Sequence, residues 1–122
     1  MTDSDRPANE VQGDGIDRPA GLYDTADLDE FVADHDLALV EFYTDGCSIC
    51  QSMEPILGNV HRSSPATVGT INPRNDPPLI DEFDVRSVPL FVLFVDGEPV
   101  ERIAEGFVET ERLIDLIESH AG

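Results

Sequence analysis

The sequence predicts an α/β fold, a central mixed β-sheet flanked by helices in the order β-α-β-α-β-α-β-β-α. Three observations carry that expectation. Two nearly unbroken apolar runs, Leu37–Tyr43 and Leu90–Val95, have the length and composition of strands buried on both faces. The stretches between and after them place apolar residues at the i, i+3, i+4 spacing of amphipathic helices. Asp96-Gly97 is a strong two-residue hairpin signal, so the last two strands should run antiparallel while helical crossovers join the earlier ones. A length of 122 residues suits one core.

Residues 1–19 are polar, carry Gly, Pro and Asp without a hydrophobic period, and read as a flexible leader whose role is solubility. The domain is expected over 20–122. Gly21-Leu22-Tyr23 makes a short edge strand, and Thr25 is a suitable N-cap for a helix with Leu28, Phe31 and Val32 on its inner face. The buried strand Leu37–Tyr43 follows and ends at the turn Thr44-Asp45-Gly46. The next helix has Ile49, Met53, Ile56, Leu57 and Val60 on one face. Pro55 within it removes a backbone hydrogen bond to Gln51, which predicts a kink. Thr67–Ile71 is a short strand. Asp76-Pro77 starts a helix directing Leu79, Ile80 and Phe83 inward. After Leu90–Val95 and the hairpin, Pro99–Ala104 pairs back. Thr110 then caps a last helix that buries Leu113, Ile114, Leu116 and Ile117 and ends near Gly122. No internal repeat is visible.

Charge narrows the partners. Asp and Glu number 26 against 7 cations, every one of them Arg, for a net charge of −19. Such a chain repels polyphosphate and anionic lipid, so neither nucleic acid nor membrane is expected as a partner. The carboxylates are interleaved with apolar residues and do not form blocks, so they read as the surface of a folded domain adapted to high salt. Stability should fall in dilute buffer. The N-terminus shows no basic and apolar signal pattern, and the longest apolar run, Val88–Val95, falls far short of a span of about 20 residues. A cytoplasmic location is expected, where two cysteines do not serve as a structural staple.

Those cysteines carry the chemistry. Cys47-Ser48-Ile49-Cys50 lies between a buried strand and a helix, which puts the first thiol at a helix N-terminus. Free backbone N–H groups and the helix dipole there favour an anion, and the thiolate is the attacking species in disulfide exchange. Cys47 is thus the nucleophile, and Cys50, about one turn on, the resolver. Zinc is the competing reading, but it wants four N/S ligands, and His35, His61 and His120 are scattered. No metal and no cofactor are expected. Glu41 interrupts an apolar run, which marks a buried acid.

From Ala20 to Gly122 the chain resembles the thioredoxin family. The likeness rests on Val40–Cys50 as the strand and dithiol segment, Pro55 five residues after the second cysteine, Val88-Pro89, the hairpin Asp96-Gly97-Glu98, and Gly106. It implies a thioredoxin fold and protein-disulfide reduction through Cys47 and Cys50, with a thioredoxin-reductase-type electron donor and a monomeric protein. It further implies a cis bond at Pro89 that turns Val88 toward an extended substrate, with Ile49 and Gly106 along the same groove. Glu41 matches the acid that accepts the proton of the second thiol, with a raised pKa. The departures are Gly46 for the usual Trp, Ser48-Ile49 for the usual Gly-Pro, and Thr70 where a lysine is common. With Asp45 two residues ahead and no nearby cation, Cys47 should have a milder pKa depression than is typical. Tyr43, Ile49 and Phe107 suit an apolar rim or plain packing equally. Two other readings remain open: a more oxidising oxidase or isomerase, and a redox-sensing binding module of the same fold. A glutaredoxin fits less well, because nothing near the dithiol would hold the glutathione carboxylates.

Overall fold

The strand signals at Leu37 and Leu90 come from residues that alternate between two buried faces, and the computed structural model, which describes residues 18–121, shows what fills them. The elements are β1 (Ala20–Leu22), α1 (Thr25–Asp34), β2 (Leu37–Phe42), α2 (Ser48–Ser63), β3 (Thr67–Ile71), a 3-10 turn (Pro73–Asn75), α3 (Pro78–Glu82), β4 (Leu90–Val95), β5 (Glu98–Ile103) and α4 (Thr110–Ser119). The sheet order is β1-β3-β2-β4-β5. β3 pairs parallel with β1 and β2, whereas β4 pairs antiparallel with β2 and β5. This is the mixed sheet with flanking helices that the sequence predicts.

β2 is central, and its period of two divides the molecule. Ala38, Val40 and Phe42 face a core shared with Leu28, Phe31 and Val32 of α1 and Leu79 of α3. Leu39 faces the other core, with Met53, Leu57 and Val60 of α2 and Leu113 and Ile117 of α4. Glu41 alternates with Val40 and Phe42, so it points to the side of Leu39, under the start of α2.

Several local expectations shift. The cap of α1 is Asp24, whose carboxylate accepts the Asp27 N–H at 3.0 Å. Thr25 is the first helical residue, and both its N–H (2.9 Å) and its hydroxyl (2.6 Å) donate to Asp76. α4 begins likewise at Thr110 after Glu109, without a side-chain cap. Ahead of α3, Asn72 accepts the Arg74 N–H at 3.0 Å and turns the chain into the 3-10 segment, and the helix starts at Pro78, one residue later than the Asp76-Pro77 signal suggests. α2 runs continuously through Pro55. Asp96 and Gly97 have φ of 52° and 84°, the left-handed pair that closes a tight hairpin. Of the leader expected over 1–19, residues 1–17 lie outside the described residues.

Candidate active site

The turn after β2 delivers Cys47 to the N-cap of α2. Gly46 takes φ +80°, a conformation that strains any side chain, and this swings the chain from the strand into the helix. Cys47 has extended backbone angles, its carbonyl accepts the Gln51 N–H at 3.1 Å, and its Sγ accepts the Cys50 N–H at 3.1 Å. A sulfur in that position takes up an amide that the first helical turn leaves without an intrahelical partner, and negative charge strengthens the bond. Cys47 and Cys50 are joined as a disulfide with Cα atoms 5.3 Å apart. Cys50 is buried and Cys47 half-buried, so the sulfur at the helix end is the one that solvent and substrate can reach.

Across from the disulfide, the Val88–Pro89 bond is cis, and the Val88 carbonyl oxygen lies 4.0 Å from Cys47 Sγ. Pro89 is buried ahead of β4. Gly106, at φ +85°, lies beside Ile49, where an added Cβ would make an ordinary contact 4.0 Å from Ile49 Cδ1. Ile49 and Phe107 are exposed, at 44% and 53%, whereas Tyr43 is half-buried and lines the other side of the dithiol. Thus Ile49, Gly106, Val88 and Pro89 all border the dithiol or its helix start.

Glu41 is 2% exposed, and its Oε2 has no hydrogen-bond partner. Burial pushes its carboxyl up to about 8, with the Glu54 carboxylate adding to the shift. Its partner in register on β3 is Thr70, which brings no cation. Glu41, Cys47, Cys50 and Thr70 contribute to one cavity of about 370 Å³, whose wall also includes Asp45, Gln51 and Glu54. Glu54 is the neighbour that sequence reasoning missed. Its signal was its position four residues after Cys50, one turn along the same helix face.

The histidines have separate surroundings. His35 packs its ring on Phe31 at 4.9 Å, His61 Nδ1 accepts the Val68 N–H at 3.1 Å, and His120 lies 2.9 Å from Glu101. Among the described residues, no group of three or more His, Cys, Asp or Glu side chains could hold a metal ion, and no helix is long and apolar enough to cross a membrane.

A redox pair at a helix N-terminus, facing a cis-proline on a five-stranded mixed sheet, defines a thiol–disulfide oxidoreductase. A family model described as Thioredoxin matches residues 21–119. The chain is 34% identical over 101 residues to a thioredoxin of Chlamydia pneumoniae, covering 82% of this chain and 97% of that one. A solved variant of thioredoxin from Halobacterium salinarum superposes with a TM-score of 0.82 at 36% identity, covering 88% of this chain and 94% of that one. Thioredoxin from Schistosoma mansoni shares the fold, with a TM-score of 0.74 at 17% identity. The chain belongs to the thioredoxin family. It is a disulfide reductase of that type, in a family that acts on disulfide substrates and is recycled by thioredoxin reductase.

Proposed function

We propose that Cys47 attacks and Cys50 resolves. The Cys47 thiolate displaces one sulfur of a substrate disulfide, which leaves as a thiolate and takes a proton from solvent. Cys50 then gives its proton to the Glu41 carboxylate and attacks Cys47 Sγ. The second substrate sulfur departs as a thiolate, and the pair ends as the intramolecular disulfide. Two electrons pass to the substrate, and a thioredoxin-reductase-type donor returns them. Val88, Pro89, Ile49 and Gly106 hold the substrate chain, with the Val88 backbone pairing to it as an added strand would. The observation that carries this assignment is the Cys50 N–H donated to Cys47 Sγ at the N-cap, with Cys50 the more buried sulfur.

The test is trapping. Cys50→Ser should accumulate mixed disulfides and Cys47→Ser should not; alkylation of the reduced protein should label Cys47 first. Labelling of Cys50 first reverses the assignment. Glu41→Gln should slow resolution of a preformed mixed disulfide by at least about a hundredfold, the usual scale of general-base help, and resolution at the wild-type rate removes Glu41 from the role.

The acids around the dithiol also support reductase over oxidase or isomerase. Asp45 and Glu54 lower the stability of a Cys47 thiolate, hence of the reduced form, and a strong oxidant needs that form stabilised. A potential near about −270 mV is expected, and one between about −120 and −180 mV would establish the oxidising alternative. The same reading takes residues 1–19 as a solubilising leader ahead of a domain over 20–122. It takes the protein to be a cytoplasmic monomer, with an acidic composition that suits a salt-rich cell and disfavours nucleic acid and anionic membrane as partners.

A further inference from the structure

The loop that joins β5 to α4 carries Gly106 and lies along one face of α2. Gly106 sits beside Ile49, and two residues further on the Val108 N–H donates to Met53 Sδ at 3.5 Å. Ile49 and Met53 are four residues apart, so they stand one above the other on the helix. Four helical residues rise about 6 Å, and two residues of chain reach about 7 Å at most. The two contacts therefore match, and they hold the loop in register with the helix that starts at the dithiol. The lower contact lies deep in the core. Val108 is 3% exposed and Met53 0%, and Leu57, Leu113 and Ile117 of the same core are hydrocarbon. A backbone N–H buried among them must find an acceptor, and the thioether, although a weak one, is what it finds. A leucine would fill nearly the same volume and leave the N–H unpaired. The other tie of the loop is on the surface, where Arg112 forks onto Glu105; both are exposed, and such pairs contribute little. Met53 is the stronger hold.

We propose that Met53 is a positioning residue for substrate capture, its thioether holding the Gly106 side of the groove at a fixed distance from Ile49 by accepting the Val108 N–H. The inference rests on the reading of Gly106 as part of the substrate groove and deepens it. Met53 is fully buried, so no substrate reaches it, and it acts through the loop alone. Gly106 brings no side chain to pack, and the Phe107 ring is 53% exposed, so the segment depends on the residue that follows it for its place. A loop released from Met53 has to be ordered at each encounter with a substrate chain, which weakens capture. The exchange at Cys47 needs no such ordering, because Cys47 is held by the helix start itself. The effect belongs to KM and not to kcat.

The chain has two methionines, Met1 and Met53, so biosynthetic replacement of methionine tests the contact directly. Norleucine keeps the unbranched shape with a methylene for the sulfur and accepts no hydrogen bond, whereas selenomethionine keeps an acceptor at the same place. In the norleucine protein the Val108 amide should exchange with deuterium about tenfold faster relative to the Leu39 amide of β2, the scale of one lost hydrogen bond. KM for insulin, with dithiothreitol as electron donor, should rise about threefold or more with kcat unchanged. The rate at which the reduced protein reacts with bis(2-hydroxyethyl) disulfide, too small to need the groove, should not move. Selenomethionine should restore all three values, and norleucine in Met53→Leu, where only Met1 is replaced, should change none. Unchanged Val108 exchange overturns the contact. Faster exchange with unchanged KM overturns the positioning role by making the bond purely structural. A fall in kcat and in the small-disulfide rate overturns it by assigning the defect to Cys47, and an effect through Met1 does so by assigning it to the leader. The groove is checked separately: in a mixed disulfide of Cys50→Ser with a peptide, the Gly106 amide signal should shift from its place in the free protein. No shift removes Gly106 from the groove and the inference falls with that reading; a shift with unchanged KM leaves the groove standing and overturns the role of Met53 alone.

Discussion

A carboxyl group on the α2 side of β2 has Leu39 before it, Phe91 opposite it in the sheet and a helix above it, so ionising it means holding charge where water is scarce. Glu41 binds its proton in the folded protein up to about 8 and in the unfolded chain only up to about 4.5. Between those values the folded state holds the extra proton, so its contribution to stability is complete below the lower value and lost as pH rises through the upper one. At 1.36 kcal/mol per unit, the swing is on the order of 4 kcal/mol. Urea unfolding of the oxidised protein at constant salt should show Glu41→Gln gaining on the wild type by roughly that amount between about pH 5 and about pH 9. A difference that does not vary with pH would mean that the carboxyl is hydrated. Glu41 was legible beforehand because an acid inside an apolar run has nowhere to point but inward. Glu54 was not, since an exposed Glu on a helix looks like any surface acid until the fold shows what it faces.

At the scale of elements, the sheet and α1 meet at a point where no side chain fits. Gly69 of β3 faces α1, and a Cβ there would lie 2.9 Å from Phe31 Cε2 and 3.1 Å from Leu22 Cδ1. Phe31 is itself buried, with its ring against His35, so it has little room to yield. Gly69→Ala should therefore destabilise by about 1–3 kcal/mol, the usual cost of overpacking, with the redox activity of the folded fraction retained. A melt equal to the wild type would show that α1 can slide outward. The buried strands, the hairpin and the helix faces were legible because each rests on a period in the local chain. The helix starts were less so. Asp24 and Thr25 are both good caps, and the choice falls to Asp24 because Asp76, 51 residues away, holds the Thr25 N–H and hydroxyl. The 3-10 turn before α3 depends likewise on the side chain of one residue, Asn72, folding back on the next turn.

Across the molecule, at least three of the seven cations are held by neighbouring acceptors. Arg112 pairs with Glu105, Arg86 lies 2.9 Å from Asp84, and Arg102 donates to the carbonyls of Phe83 and Asp84. These contacts fix local geometry but cannot offset a net charge of −19, and exposed pairs of this kind contribute little each. What opposes folding at low salt is the summed repulsion of carboxylates over the surface, which acts through water and responds to the Debye length, about 10 Å at 0.1 M and about 3 Å at 1 M. Raising KCl from about 0.05 M to about 1 M should therefore lift the midpoint of thermal unfolding by on the order of 10 °C, with most of the rise below about 0.5 M, where the screening length changes fastest. The shape separates causes: exclusion of salt from the protein surface would give a rise that continues steadily at still higher concentration and is steeper in sulfate than in chloride at equal ionic strength. A flat melt over the whole range would show that the carboxylates do not strain the fold, and the case for a salt-adapted surface would go with it.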